Sequence, residues 1–291
     1  MKLATFTHEN RTRVGVVVGD EVVDVSVAAP ELPRAMEGIL AAGPGALERM
    51  RAAAHGGSPR LALAQVKLEA PCTQPRKFLA IGLNYADHIA ETGRPAPEFP
   101  VFFNKQNSCV NGPYDPIWMP RVSDKLDYEG ELAFVIGTRC RHVPKARAHE
   151  VIAGYLICND VSVRDWQQRA PTMTLGKSFD THGPLGPFLV TPDELGDPHG
   201  LELETTIDGE RRQKSNTKNL VFDCYDQVET LSTAFTLEPG DVISTGTCGG
   251  VGVAMNPRGY MKVGQVVRVT ISGLGTIENR VIAEPADTAK P

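Results

Sequence analysis

The chain has 291 residues and a formal net charge of −5, with 30 Lys and Arg scattered among 35 Asp and Glu; this gives no basic stripe for nucleic acid and favours small-molecule chemistry. No apolar stretch approaches the roughly 20 residues needed to cross a bilayer, and the opening Met-Lys-Leu-Ala-Thr-Phe-Thr-His lacks a signal peptide's apolar region, so a soluble, cytoplasmic protein without a membrane partner is expected. Six cysteines, Cys72, Cys109, Cys140, Cys158, Cys224 and Cys248, form no Cys-x-x-Cys pair and read as free thiols.

Along the chain, two β-rich runs between Arg13 and Val25 flank Gly19-Asp20, the signature of a tight hairpin. From Glu31 to Ala54 the pattern turns helical, and Gly43-Pro44-Gly45 should split it into two helices. His55-Gly-Gly-Ser-Pro-Arg60 then punctuates, and Pro71 and Pro75 lead out of the segment. A small N-terminal α/β domain over 1–69 and a larger domain over 70–291 follow from this division.

In the larger part, Leu79-Ala-Ile-Gly-Leu-Asn-Tyr reads as a short apolar strand and a Gly82 turn. A helical turn follows, with His88 and Glu91 at i and i+3. Strand-length apolar runs recur at 101–104, 131–137, 152–158, 187–190, 201–207, 241–244 and 265–272. Asp208-Gly209 marks a hairpin, Ser272-Gly-Leu-Gly275 links the last two strands, and 144–151 and 226–236 are the best helices. The fold class is therefore α+β, mostly β, and not an alternating βαβ array.

The chemistry starts at Leu126-Asp-Tyr-Glu129-Gly-Glu131. On a strand, side chains at i and i+2 leave one face roughly 6 to 7 Å apart, so both carboxylates can close on one ion. A lone Glu-x-Glu is ordinarily the solvated face of a sheet, but Gly130 between the pair suggests a close approach to the backbone. Asp160 ends the apolar run Tyr155-Leu-Ile-Cys-Asn and offers a third oxygen ligand. Three carboxylates with no Cys or His favour Mg²⁺, Mn²⁺ or Ca²⁺ over zinc. Glu91 can hold the His88 imidazole and raise its basicity. Two decoys stand aside: Gly246-Thr-Cys-Gly249-Gly250-Val-Gly252 opens no strong helix, as a phosphate loop would, and His182 reads as a loop histidine satisfied by backbone. No local base or helix terminus activates Cys248.

Six ordered blocks carry a resemblance. They are Gly82-Leu-Asn-Tyr-Ala-Asp-His-Ile-Ala-Glu91, Pro100-Val-Phe-Phe-Asn-Lys105, Asp127-Tyr-Glu-Gly-Glu-Leu132, Asn159-Asp-Val-Ser-Val-Arg-Asp-Trp-Gln167, Gly176-Lys-Ser-Phe-Asp-Thr-His-Gly-Pro-Leu-Gly-Pro187 and Gly240-Asp-Val-Ile-Ser-Thr-Gly-Thr247. On these, covering most of positions 70 to 285, the chain resembles the fumarylacetoacetate hydrolase family. The resemblance implies a mixed, rolled β-sheet fold and a homodimer. It also implies that Glu129, Glu131 and Asp160 bind a divalent metal, Mg²⁺ or Mn²⁺ with Ca²⁺ possible, and that His88 and Glu91 form a water-activating dyad. Lys177 would stabilise developing negative charge. Arg164 and Gln167, one and two turns beyond Asp160, would face substrate oxygens, with Thr247 and Lys105 as further substrate contacts. Cys248 departs from the proline that many members carry after Thr-Gly-Thr, which leaves that loop less rigid.

The implied activity is metal-dependent hydrolysis of a carbon–carbon bond in a small acylpyruvate or 1,3-diketo acid, as in aromatic catabolism. Decarboxylation, or enol–keto isomerisation or lysis of a 2-oxo dicarboxylic acid, is the alternative on the same ligands, and a non-catalytic metal-binding protein is the remote one. Selectivity is expected to depend in part on 92–99, Thr-Gly-Arg-Pro-Ala-Pro-Glu-Phe, a segment whose Pro and Gly suggest a lid.

Overall fold

The computed structural model describes residues 1–288; the last three positions of the expected 70–291 unit lie outside the described residues. The chain opens on a meander, β1 (Lys2–His8), β2 (Arg11–Val18) and β3 (Glu21–Asp24), one strand more than the expected pair. The added turn falls at Glu9-Asn10, both in the left-handed region at φ 49° and 58°, the backbone a two-residue hairpin needs. Helices α1 (Val25–Ala28), α2 (Met36–Ala41) and α3 (Pro44–His55) follow. The break between α2 and α3 is where Gly43, at φ 80°, precedes Pro44 at the first helical position. Strands β4 (Arg60–Ala62) and β5 (Lys67–Glu69) complete this part.

Next come β6 (Phe78–Gly82), α4 (Ala86–Thr92), β7 (Val101–Lys105), β8 (Val110–Asn111), β9 (Ile117–Met119) and β10 (Leu126–Asp127). The centre is formed by β11 (Gly130–Ile136), β12 (Ile152–Asn159), β13 (Ser162–Val163), the single turn α5 (Arg164–Gln167) and β14 (Gly183–Val190). The rest comprises α6 (Pro192–Leu195), β15 (Glu202–Ile207), β16 (Glu210–Asn216), α7 (Cys224–Ala234), β17 (Val242–Ser244), β18 (Val266–Ile271) and β19 (Gly275–Ala283). The helix expected at 144–151 is instead a 3₁₀ run, Lys145–Val151. That expected at 226–236 is α7, started by a capping box between Asp223 and Asp226.

The main sheet runs β4-β3-β2-β1-β14-β12-β11-β17-β6-β7, and β8 pairs with the start of β14, so the sheet rolls. A second sheet, β16-β15-β18-β19-β9, lies across it. Strands β11 and β12 are buried along their whole length. Alternate residues of β11 therefore serve two cores: Ala133 and Val135 pack with Met36, Leu40 and Met50 of the N-terminal helices, while Leu132 and Phe134 pack with Leu203, Val269 and Leu231 of the second sheet and α7. Among the described residues no helix is long and apolar enough to cross a membrane.

The pairing of these strands decides which ends meet. β12 runs antiparallel to β11 with Gly130 opposite Asn159. On the other side β17 is antiparallel to β11 and parallel to β6, with Ala133 opposite Ser244 and Ser244 opposite Ala80. The start of β11 and the ends of β12, β17 and β6 thus come together, and each continues into one of the motif blocks.

Candidate active site and metal centre

Glu129, Glu131 and Asp160 converge here, each offering an oxygen within 4.8 Å of the others. All three are buried. Glu129 immediately precedes β11 rather than starting it, and the link to Asp160 is made by backbone: Asp160 N donates to Glu129 O at 2.9 Å. Asn159 Oδ1 in turn accepts from Glu129 N at 3.0 Å. Gly130 permits the approach of the second sheet, since a Cβ there would lie 2.3 Å from Thr205 Oγ1. The close approach suggested by its position between the two glutamates is therefore real.

Three cations face the three acids. Lys177 Nζ reaches Glu129 Oε2 at 2.6 Å and Asp160 Oδ2 at 2.7 Å, and Arg164 Nη1 reaches Glu129 Oε1 at 2.7 Å. Lys105 Nζ lies 2.6 Å from Asp160 Oδ1. Burial alone would raise Glu129, but Lys177 and Arg164, with a smaller contribution from His88, hold its carboxyl down at about 2. Glu131 behaves oppositely: burial, then Asp160 and Glu129, push it well above the usual carboxylate range. Its Oε2 accepts from Ser244 Oγ at 2.5 Å and Gly246 N at 2.9 Å, whereas its buried Oε1 has no partner among the described residues. An orphaned carboxylate oxygen inside an all-oxygen cluster fits a hard divalent cation, which would also offset the crowding of charge on Glu131.

Arg164 follows β13 in the one-turn α5. Its Nε donates to Asp127 at 2.7 Å, Nη1 donates to Gln167 Oε1 at 2.9 Å, and the buried Nη2 lacks a partner. Gln167 therefore braces Arg164, and its own amide faces Met173 Sδ at 3.5 Å.

Two residues expected to contact substrate are committed elsewhere. An ammonium has three N–H donors, and those of Lys105 go to Asp160 and to the carbonyls of Lys177 and His182. Lys105 is thus a buried support for Asp160 with no donor left for a ligand. Thr247 donates to Gly130 O at 3.0 Å and accepts from Gln213 Nε2 at 2.8 Å, so its hydroxyl proton serves the scaffold. Gln213 also donates to Cys248 O at 3.0 Å, bracing the loop at the position where proline is absent.

On α4, His88 Nδ1 lies 3.1 Å from Glu91 Oε2. The other oxygen of Glu91 accepts from Gly250 N at 2.9 Å, which fixes the carboxylate's orientation. The loop after β17 is the element sequence reasoning undervalued. Gly246, Gly249, Gly250, Gly252 and Val253 give their N–H groups to Glu131, Asp87, Glu91 and Asp127. Asp127 had a visible signal, a third acid at i−2 in the run 127, 129, 131. Gln213 and Ser244 had none, because their roles come only from strand pairing. His182 donates through Nε2 to Trp118 O (2.8 Å), and burial lowers it to about 3, so it stays neutral and apart from the acids. Burial pushes the Cys248 thiol up, away from reactivity, and all six cysteines are free.

Comparison with known proteins adds three kinds of chemistry. The family model described as fumarylacetoacetate (FAA) hydrolase C-terminal matches residues 77–282. Oxaloacetate tautomerase fahd2, mitochondrial, of Xenopus laevis is 40% identical over 288 residues, 97% of this chain and 90% of that protein. The crystal structure of maleylpyruvate hydrolase from Sphingobium sp. SYK-6, in complex with manganese(II) ion and pyruvate, superposes with a TM-score of 0.82 at 32% identity over 98% of this chain and 100% of that one. The structure of 2-hydroxyhepta-2,4-diene-1,7-dioate isomerase from Mycobacterium marinum gives 0.79 at 32% identity over 98% and 99%.

Proposed function

The chain belongs to the fumarylacetoacetate hydrolase family, and from that premise we propose that it is a divalent-metal-dependent hydrolase cleaving a carbon–carbon bond in a small acylpyruvate-type acid. The observation that carries this reading is that one loop grips both a His–carboxylate pair and the buried triad of acids: Gly246 N donates to Glu131 and Gly250 N to Glu91, the partner of His88. Glu129, Glu131 and Asp160 would hold Mg²⁺ or Mn²⁺. When bound, such a cation polarises neighbouring substrate oxygens as a Lewis acid.

The remaining roles belong to side chains. Arg164 Nη2, buried and unpartnered, donates to a substrate carboxylate or oxo oxygen. His88 takes a proton from water at Nε2 while Glu91, bonded at Nδ1, stabilises the imidazolium. The hydroxide adds to the carbonyl carbon distal to the pyruvyl end. The carbon–carbon bond then breaks, its electron pair going to the pyruvyl fragment as an enolate, which is reprotonated to the keto acid. Lys177 stabilises the charge that develops in that step.

A second reading, enol–keto tautomerisation of a 2-oxo dicarboxylic acid, is favoured by the 40% identity to a protein named oxaloacetate tautomerase. It needs only proton transfer and no attacking water. Product analysis by NMR on acylpyruvates and oxaloacetate, with Mg²⁺ or Mn²⁺, separates the two. Hydrolysis yields a carboxylic acid and pyruvate, whereas tautomerisation yields only keto–enol interconversion. No cleavage of any acylpyruvate would end the first reading.

A further inference from the structure

The dyad helix α4 has only seven residues, too few to hold its own place, and it is entered through Leu83 at φ 55°, a left-handed conformation that a leucine adopts at a cost. Its position is therefore set by what its side chains grip. Asn84, fully buried, donates to Thr245 O at 2.7 Å and Phe222 O at 2.9 Å and accepts from Phe222 N at 2.9 Å. Asp87 accepts from Gly249 N at 3.2 Å through Oδ1 and from Ser215 Oγ at 2.5 Å through Oδ2. Glu91, one turn beyond Asp87 on the same face, takes Gly250 N.

Strand β16 makes these contacts a common reference. Ser215 and Gln213 are two residues apart and leave the same face of that strand. Gln213 Oε1 accepts from Gly130 N at 2.9 Å, between the two glutamates of the acid cluster, and its amide holds Thr247 and Cys248. Ser215 holds Asp87, the residue next to His88. One strand thus registers both the acids and the base.

We propose that Asp87 is a positioning residue of this site: its two oxygens, clamped on Gly249 and Ser215, set the distance and angle from which His88 addresses the acid cluster. It moves no proton and touches no substrate. Loss of the clamp leaves α4 held by Asn84, Glu91 and the packing of Tyr85 and Ile89, with nothing gripping the residue beside His88. The catalytic consequence rests on the functional reading above; the mechanical one does not.

The test compares Asp87→Ala, Asp87→Asn and Ser215→Ala with the wild-type chain by amide hydrogen exchange without substrate, and by kinetics with saturating Mn²⁺. In Asp87→Ala, exchange at Gly249, Gly250 and α4 should quicken while the rest of the protein keeps its protection. The kcat should fall about tenfold to a hundredfold with KM unchanged, the scale of a misplaced catalytic group. Asp87→Asn keeps an oxygen for Gly249 and an amide for Ser215, and should restore most of the rate. Ser215→Ala removes one contact and should fall between, and it decides the matter should Asp87→Ala not fold. Unchanged exchange in this region overturns the proposal, as does full kcat in Asp87→Ala. An Asp87→Asn variant as slow as Asp87→Ala also overturns it, by showing that charge and not grip matters. A wild-type chain that turns over no 2-oxo acid would defeat the functional reading while the exchange result still judged the clamp.

Discussion

Glu129, Glu131 and Asp160 stand at the ends of two strands buried on both faces, whereas His88 and Glu91 stand on a seven-residue helix tied down by side chains on glycine amides. Backbone pairing holds the acids, so their spacing is part of the sheet; hydrogen bonds that a single substitution can remove hold His88, the proposed base. On the proposed reading, a site divided in this way keeps its ligand geometry constant while the proton-handling group remains adjustable. Members of one family can then differ in chemistry, as the names of the hydrolase, isomerase and tautomerase among the similar proteins do.

Removing an acid should have the largest effect. Glu129→Ala should abolish metal-dependent turnover and calorimetric metal binding together; activity surviving in the chelator-treated variant would break the comparison on its rigid side. On the other side, His88→Ala should lower acylpyruvate hydrolysis by about 10² to 10⁴, the usual worth of a general base, and leave metal affinity intact. Weaker metal binding in that variant would show that base and acids are not separable.

The support of the acids can be probed at Lys105. Lys105→Met leaves the Asp160 carboxylate without one of its two ammonium partners, and breaking a buried pair typically costs about 3 to 5 kcal/mol, readable as lost stability of the metal-free protein in urea. Wild-type stability there would mean that the three contacts of Lys105 are incidental. Gly130→Ala should cost about 1 to 3 kcal/mol through the clash with Thr205, measured the same way.

A last effect concerns pH. His182 is held down at about 3 in the fold against about 6.5 unfolded, so between those values the unfolded chain binds a proton that the native one does not. Its contribution is whole above pH 6.5 and falls by about 1.4 kcal/mol for each pH unit below it. Replacing His182 with Gln should flatten the acid limb of a stability–pH curve; an unchanged slope would show that the histidine titrates freely.

Much of this was legible because it was local. The strands at 101–104, 131–137 and 152–158, the Gly43-Pro44-Gly45 break and the Asp208-Gly209 turn each carry their cause within a few residues. The metal-type acids were visible because two of them share a strand face and the third closes a buried run. What escaped depended on distant partners. Glu9-Asn10 makes a hairpin without glycine, the 3₁₀ run at Lys145–Val151 has the composition of an α-helix, and Lys105 looks like a substrate lysine until its three acceptors are brought together by the roll of the sheet. Gln213 and Ser215 are ordinary polar residues of a strand whose importance is set entirely by what lies across from them.

The place of β1 in the main sheet bears on how the protein is made. Lys2 and Leu3 pair with Val190 and Leu189, so β1 finds this partner only after synthesis has reached β14, far along the chain. Contacts this distant in sequence close slowly. Until then β1 has β2 and β5 for company but an incomplete edge, a surface on which nascent chains can pair with one another, and assembly of the whole sheet waits on β14.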